Sequence, residues 1–283
     1  MRLSRVVTFA GYEMRRAVAR KKVLALVALT ILIDTAPYYA LAAAGKVSIV
    51  PPPLHPYLWV VGVFVPQAFF LQFIALLIAA GSMSEEYEQG TAEVLLSKPV
   101  SRREYFFGKY LGGYALLIAI VVLNAFLALL SATYVFGPQT LLGILPVTLL
   151  SQAFSALVFY SVAFMVGELM RRSSLSYILS SAVFFTSQIL GIYLNLIYSL
   201  TGSDIYRVAD LYLPTSPVDS LPILLAQPSF PGALVTLFGR VGGTGAVETS
   251  ISLSVALIAA YAVAAVVISM AYFSRADVAK RVT

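Results

Sequence analysis

Six stretches of more than twenty residues, roughly 23–44, 60–80, 111–135, 141–167, 175–200 and 248–273, run almost without charge through this 283-residue chain. Each is long enough to cross a hydrocarbon core of roughly 30 Å. In lipid, only helices and closed barrels satisfy every backbone group. The apolar runs are continuous rather than strictly alternating, which selects helices. The chain therefore reads as an all-α polytopic membrane protein with six transmembrane helices, in a single transmembrane domain spanning 1–283. Its hydrophobic share of 60% agrees, since soluble domains run nearer about 45–50%.

Charge then sets orientation. The first 22 residues hold seven Arg/Lys, the connection 81–110 four, the link 168–174 two and the tail from 274 three. Only Lys46, Arg207 and Arg240 fall in the other set of connections, so sixteen of nineteen basic residues share one side. Under the positive-inside rule both termini are cytoplasmic, and the expected location is the cell (plasma) membrane. The net charge of +6 thus serves the lipid bilayer, not a nucleic-acid partner. With no cysteine, disulfides and thiol chemistry are excluded.

The N-terminal stretch, 1–22, interleaves Leu3, Val6, Val7, Phe9, Met14 and Val18 with Arg2, Arg5, Arg15, Arg16 and Arg20. That spacing predicts an interfacial amphipathic helix lying in the headgroup plane; a plain basic tail is the simpler alternative. The outer connections differ. Residues 45–59 carry Pro51, Pro52, Pro53 and Pro56, a stiff extended turn. The extracellular loop 201–247 holds five prolines and a glycine-rich end. Short surface or re-entrant helices are expected there, without a seventh crossing.

The segment from Glu85 to Glu104 is a charged island between two apolar runs, in a chain where only 11% of residues are charged. Glu86, Gln89 or Gly90, and Glu93 recur at three- and four-residue spacing, which puts acidic groups on one face of a short helix. Val94, Leu95 and Leu96 supply an apolar patch. Ser97, Lys98 and Pro99 then stop the helix, because proline disfavours helical geometry in the residue before it. Ser101 and Glu104 form an S-x-x-E capping box, with Val100 and Tyr105 placed as a hydrophobic staple. A short helix, a rigid corner and a capped helix continuous with the third span follow. The simpler alternative is a solvated loop, but such a loop has no need of a cap and a staple.

The run Glu86-x-x-x-Gly90-Thr91-x-Glu93-x-Leu95-Leu96-Ser97-Lys98-Pro99-Val100-Ser101-Arg102, ending in Gly108-Lys109, resembles the first cytoplasmic loop of type-2 ABC exporter permeases. The resemblance implies six spans, cytoplasmic ends and an N-terminal interfacial helix. It also implies that the cytoplasmic coupling loop 81–110 docks a coupling helix into a separate, soluble ABC ATPase subunit. Glu85, Glu86, Gln89, Gly90, Thr91, Glu93, Leu95, Leu96, Lys98 and Pro99 would carry that contact. The link Glu168 to Ser174 resembles a second, smaller contact.

No G-x-x-x-x-G-K-[ST] phosphate loop occurs, since Gly45-Lys46 and Gly108-Lys109 lack its other residues. ATP and Mg are therefore expected on the partner ATPase, with no cofactor, metal or catalytic residue on this chain. Six spans are few for a whole pathway, so a second permease subunit, in a homo- or heterodimer, is expected.

Within the spans Asp34 stands out, because a charged side chain near a helix centre costs about 2.5–3.5 kcal/mol on insertion scales. Either it serves a substrate, ion or partner, or Pro37 breaks the helix and leaves it near the outer interface. Asn124, Gln152, Gln188 and Asn195 are amides that either bond between helices or line a pathway. Gly108-x-x-x-Gly112 predicts close helix packing. His55, the one histidine, lies in the proline-rich turn and makes a poor metal ligand alone.

Two other function classes compete. An intramembrane protease would need histidines at membrane depth, which the chain lacks. An ion-coupled secondary transporter could use Asp34, but it would not explain the docking corner. The leading expectation is the permease subunit of an ATP-driven exporter.

Overall fold

The computed structural model describes residues 3–97, 100–241 and 250–275, and among these every regular element is helical. The elements are α1 (Leu3–Ala19), α2 (Lys21–Ala43), α3 (Leu58–Pro66), α4 (Gln72–Glu88), α5 (Thr91–Leu96), α6 (Arg102–Phe136), α7 (Leu145–Met170), α8 (Ser173–Thr201), α9 (Asp204–Leu211), α10 (Thr215–Ala226), α11 (Gly232–Val241) and α12 (Ile251–Arg275). A π-helical turn, Gln67–Leu71, joins α3 to α4. Among the described residues six helices are long and apolar enough to cross a membrane: α2, the composite running from Pro52 to Glu88, α6, the one from Leu142 to Met170, α8 and α12.

The expected spans are all present, but the helices outrun their apolar cores. α4 continues eight residues beyond the expected end at 80, and α6 starts nine before its expected start at 111. Backbone hydrogen bonding does not stop where hydrocarbon does. A helix ends where a cap or a breaker ends it. Ser101 provides the cap of α6: its hydroxyl accepts from the Glu104 amide at 3.2 Å, and the Glu104 carboxylate accepts from the Ser101 amide at 3.2 Å. Pro37, by contrast, does not break α2, which runs unbroken around it.

α7 is the centre of the bundle, packed by α4, α12, α10 and α8. Its buried face carries Phe159, Tyr160, Ala163 and Phe164, which join Ile74, Ile78, Phe106, Phe184 and Phe273 in the main core. A smaller core around Tyr38, Trp59, Val63 and Ala128 sits toward the proline-rich pole. There the connection after α8 folds as α9, α10 and α11, with Val218 and Leu221 of α10 buried against the span ends. Among its described residues the long connection holds short helices and no seventh long apolar one.

α1 lies along the opposite, charged pole of α6. Glycine makes that contact possible: a Cβ on Gly112 would stand 2.7 Å from the Ala10 Cα. So the small-residue motif of α6 receives α1. The helix has three faces. Val6, Glu13 and Ala17 are buried, Leu3 and Val7 form an exposed apolar stripe, and Arg15 with Thr8 lies on the exposed polar side.

Candidate functional site at the charged pole

α4 carries its charges past the apolar core and ends at Glu88. Gly90 then adopts φ +70°, a left-handed conformation in which glycine has no Cβ penalty. The chain turns there and starts α5 at Thr91. The island is therefore not one short acidic helix. Glu86 belongs to α4 and Glu93 to α5, with the Gly90 turn between them, so they do not share a helical face.

Glu85 and Glu86 point into the protein. Glu86 is fully buried. Its Oε1 accepts from the Lys109 ammonium at 2.5 Å and lies 2.8 Å from Arg16 Nη1, and the Tyr105 hydroxyl donates to its Oε2. Glu85 Oε2 lies 3.0 Å from Arg20 Nε, and the Tyr177 hydroxyl donates to Oε1 at 2.6 Å. A third carboxylate, Glu13 of α1, is fully buried, pairs with Lys109 and takes an Arg20 hydrogen bond at 3.1 Å. Arg16 and Arg20 also donate to the Ser82, Ile78 and Gly81 carbonyls of α4 at 3.1, 2.9 and 2.9 Å.

Three carboxylates (Glu13, Glu85, Glu86) thus face three cations (Arg16, Arg20, Lys109), and the cluster closes with formal neutrality. Neutrality matters, because desolvating an unmatched ion costs several kcal/mol. The network ties α1, α4 and α6 into one body. Sequence reasoning missed Glu13, Arg16, Arg20 and Lys109 as its members. The available signal was Glu13 as the lone acid in an arginine-rich helix, and Lys109 alone among aromatic residues.

Around this body, α5 hangs on Ala92, which is buried, and Leu95, which packs on the core, while Glu93 and Val94 face outward. Gln89 is exposed and Thr91 partly buried. Lys98 and Pro99, expected to form the corner, lie outside the described residues, and the side chain of Leu96 is not described. A second junction joins the ends of α4 and α7: the Tyr87 hydroxyl is 2.9 Å from both oxygens of buried Glu168, and Arg171 sits 4.6 Å over the Tyr87 ring. The Ser173 hydroxyl donates to Glu88 at 2.5 Å.

The four candidate pathway residues fall into two groups. Asp34 and Asn124 are buried in the bundle. Gln188 and Asn195 lie on α8 and bond to Asp219 and Asp210 of the α9–α10 region. Asn195 also donates to its own helix at the Gly191 carbonyl, 2.9 Å away. Burial pushes the Asp219 carboxyl up to about 7, against the opposing hydrogen bond from Gln188. Gln152 donates to the Val63 carbonyl at 3.1 Å, an interhelical bond. His55 sits against the Val50 carbonyl at 2.9 Å. Among the described residues no group of three His, Cys, Asp or Glu side chains is placed to hold a metal.

The model of the ABC-2 family transporter protein matches residues 7–278. Over 120 residues the chain is 31% identical to the uncharacterized protein YhcI of Bacillus subtilis (strain 168), a match covering 36% of this chain and 38% of that protein. The helical bundle, the long apolar helices and a family match over nearly the whole length agree. This multi-pass membrane protein belongs to the ABC-2 family and is an ABC transporter permease.

Proposed function

We propose that the chain is the membrane subunit of an ATP-driven exporter, and that it receives force through α5 and the end of α4. ATP and Mg belong to a separate ABC ATPase subunit, and a second permease subunit completes the pathway. The charged pole, with both termini, faces the cytoplasm of the cell, and α1 rests its Leu3 and Val7 stripe in the headgroup layer. The export direction rests on the resemblance to type-2 exporters.

One observation carries this reading: the short helix after Gly90 hangs from a helix that is ion-paired to both α1 and α6. A push on α5 is then shared by three helices, two of which cross the membrane. In this arrangement Glu85 and Glu86 hold the docking element in place, and the contact itself falls to Gln89, Glu93 and Val94 with their neighbours. Charge reversal at Glu86 would therefore disturb folding before docking.

The test uses Glu93→Lys combined with Val94→Asp, followed by copurification with a candidate ATPase and measurement of its coupled activity. Loss of copurification with an unchanged thermal midpoint is expected. Full binding and coupling in that variant would refute the docking assignment.

A further inference from the structure

α3 and α4 belong to one composite span, and they meet at an irregular joint. Pro66 ends α3, and the π-helical turn Gln67–Leu71 follows it, a deviation often found at functional sites. Proline has no N–H, so Pro66 gives no hydrogen bond to the Gly62 carbonyl one turn back. On α6, Asn124 is buried, and its Oδ1 meets no hydrogen-bond donor among the described residues. On α7, Gln152 is buried as well and spends one amide hydrogen on the Val63 carbonyl at 3.1 Å. Buried polar atoms are nearly always satisfied, by protein or by ordered water.

These groups surround one space. Gly62, Pro66, Leu71, Asn124 and Gln152 line a small cavity together with Val63 and Val121. Its volume of about 10 Å³ is roughly that of one water-sized sphere, the least that holds a water molecule. None of its lining residues carries a charge, so a bare ion there would be desolvated without a counter-charge. A transported cargo is far too large for it. A dry cavity leaves the Asn124 oxygen without a donor. Water fits the volume, brings two donors for oxygens and two lone pairs for an amide hydrogen, and adds no charge.

We propose that this cavity is a binding site for one structural water molecule. The water donates to Asn124 Oδ1, has the Gly62 carbonyl and the Gln152 amide as its other partners, and ties α6 and α7 to the joint of the composite span. Sharp helix bends occur at proline, at π turns and where water inserts, and all three then coincide at this joint.

The test is X-ray radiolytic footprinting of the full-length chain in lipid nanodiscs, in which a bound water supplies hydroxyl radical to side chains that bulk solvent cannot reach. Leu71 and Leu76 are equally buried, each 2% exposed, and of the two only Leu71 lines the cavity. Leu71 should be modified several-fold faster than Leu76. Asn124→Leu, which removes the acceptor and fills the space, should bring the two rates together. Should that variant fail to fold, Val121→Ile decides, because it adds one methylene to the cavity wall and leaves every polar partner in place; equal rates there support the site. Equal rates in the wild type, or a Leu71 excess that persists in whichever variant folds, overturn the proposal. The labelling does not involve the ATPase, so failure here leaves the coupling assignment standing.

Discussion

Lys109 of α6 and Glu13 of α1, separated by 96 positions, form an ion pair with no solvent access to either side chain. Their burial is sustainable because Glu85, Glu86 and the two α1 arginines complete the charge balance around them. Breaking a buried ionic group by removing one partner is far more costly than replacing the whole group.

Lys109→Met should therefore destabilise the protein by about 3–5 kcal/mol, since Glu13 and Glu86 keep their charge without their shared cation. Adding Glu13→Gln to that variant should recover part of the loss. Thermal unfolding of the single and double variants in nanodiscs checks both statements. Equal midpoints for wild type and Lys109→Met would show that the ammonium is not part of the balance.

At Gly112, the Cβ of an alanine would press into the Ala10 backbone. Backbone cannot rotate aside as a side chain can, so α1 must lift away from α6. Gly112→Ala should cost about 1–3 kcal/mol, as overpacking does. Limited proteolysis within α1 should also become faster, while Gly143→Ala, which meets nothing within 4 Å, should leave the rate unchanged.

Ser101→Ala removes one half of the capping box at the start of α6, a loss of typically about 1 kcal/mol. If α5 is the proposed docking element, the consequence should be larger for coupling than for stability, because this cap fixes the first turn of α6 that follows it. A modest fall in midpoint with a clear fall in stimulated ATPase activity of the assembled transporter is the expected pair of results.

The Asp219 carboxyl, pushed up to about 7 by burial, holds its proton more tightly in the folded chain than in the unfolded one, where it titrates near about 3.9. Between those values the folded state binds more protons, so stability falls as pH rises. The loss from this residue starts near the lower value and is complete once pH exceeds about 7. Asp219→Asn should flatten that part of the midpoint-versus-pH profile, which thermal scans from acid to neutral pH will measure.

The six long helices were legible because each is written locally, as an apolar run longer than lipid is thick. The α6 cap was equally legible, since Ser101 and Glu104 are three positions apart. The ion network was not. Its partners stand 23 and 96 positions apart, and no periodicity within α1 reveals which turn of α4 it will meet. The resemblance assigns Glu85 and Glu86 to an outward contact, whereas the cations that neutralise them, Arg16, Arg20 and Lys109, lie on other helices. Asp34 was noticed from its charge alone, but its close approach to α3 depends on the absence of a side chain at Gly62. Gln188 and Asn195 share its polarity without its location.

The seating of α1 also fixes an order of assembly. During synthesis Glu13, Arg16 and Arg20 leave the ribosome well before Glu85, Glu86 and Lys109 exist. Until α6 has been threaded into the bilayer, the first helix has no neutral seat to occupy. Its docking onto α4 and α6 therefore comes after both of those helices have been made.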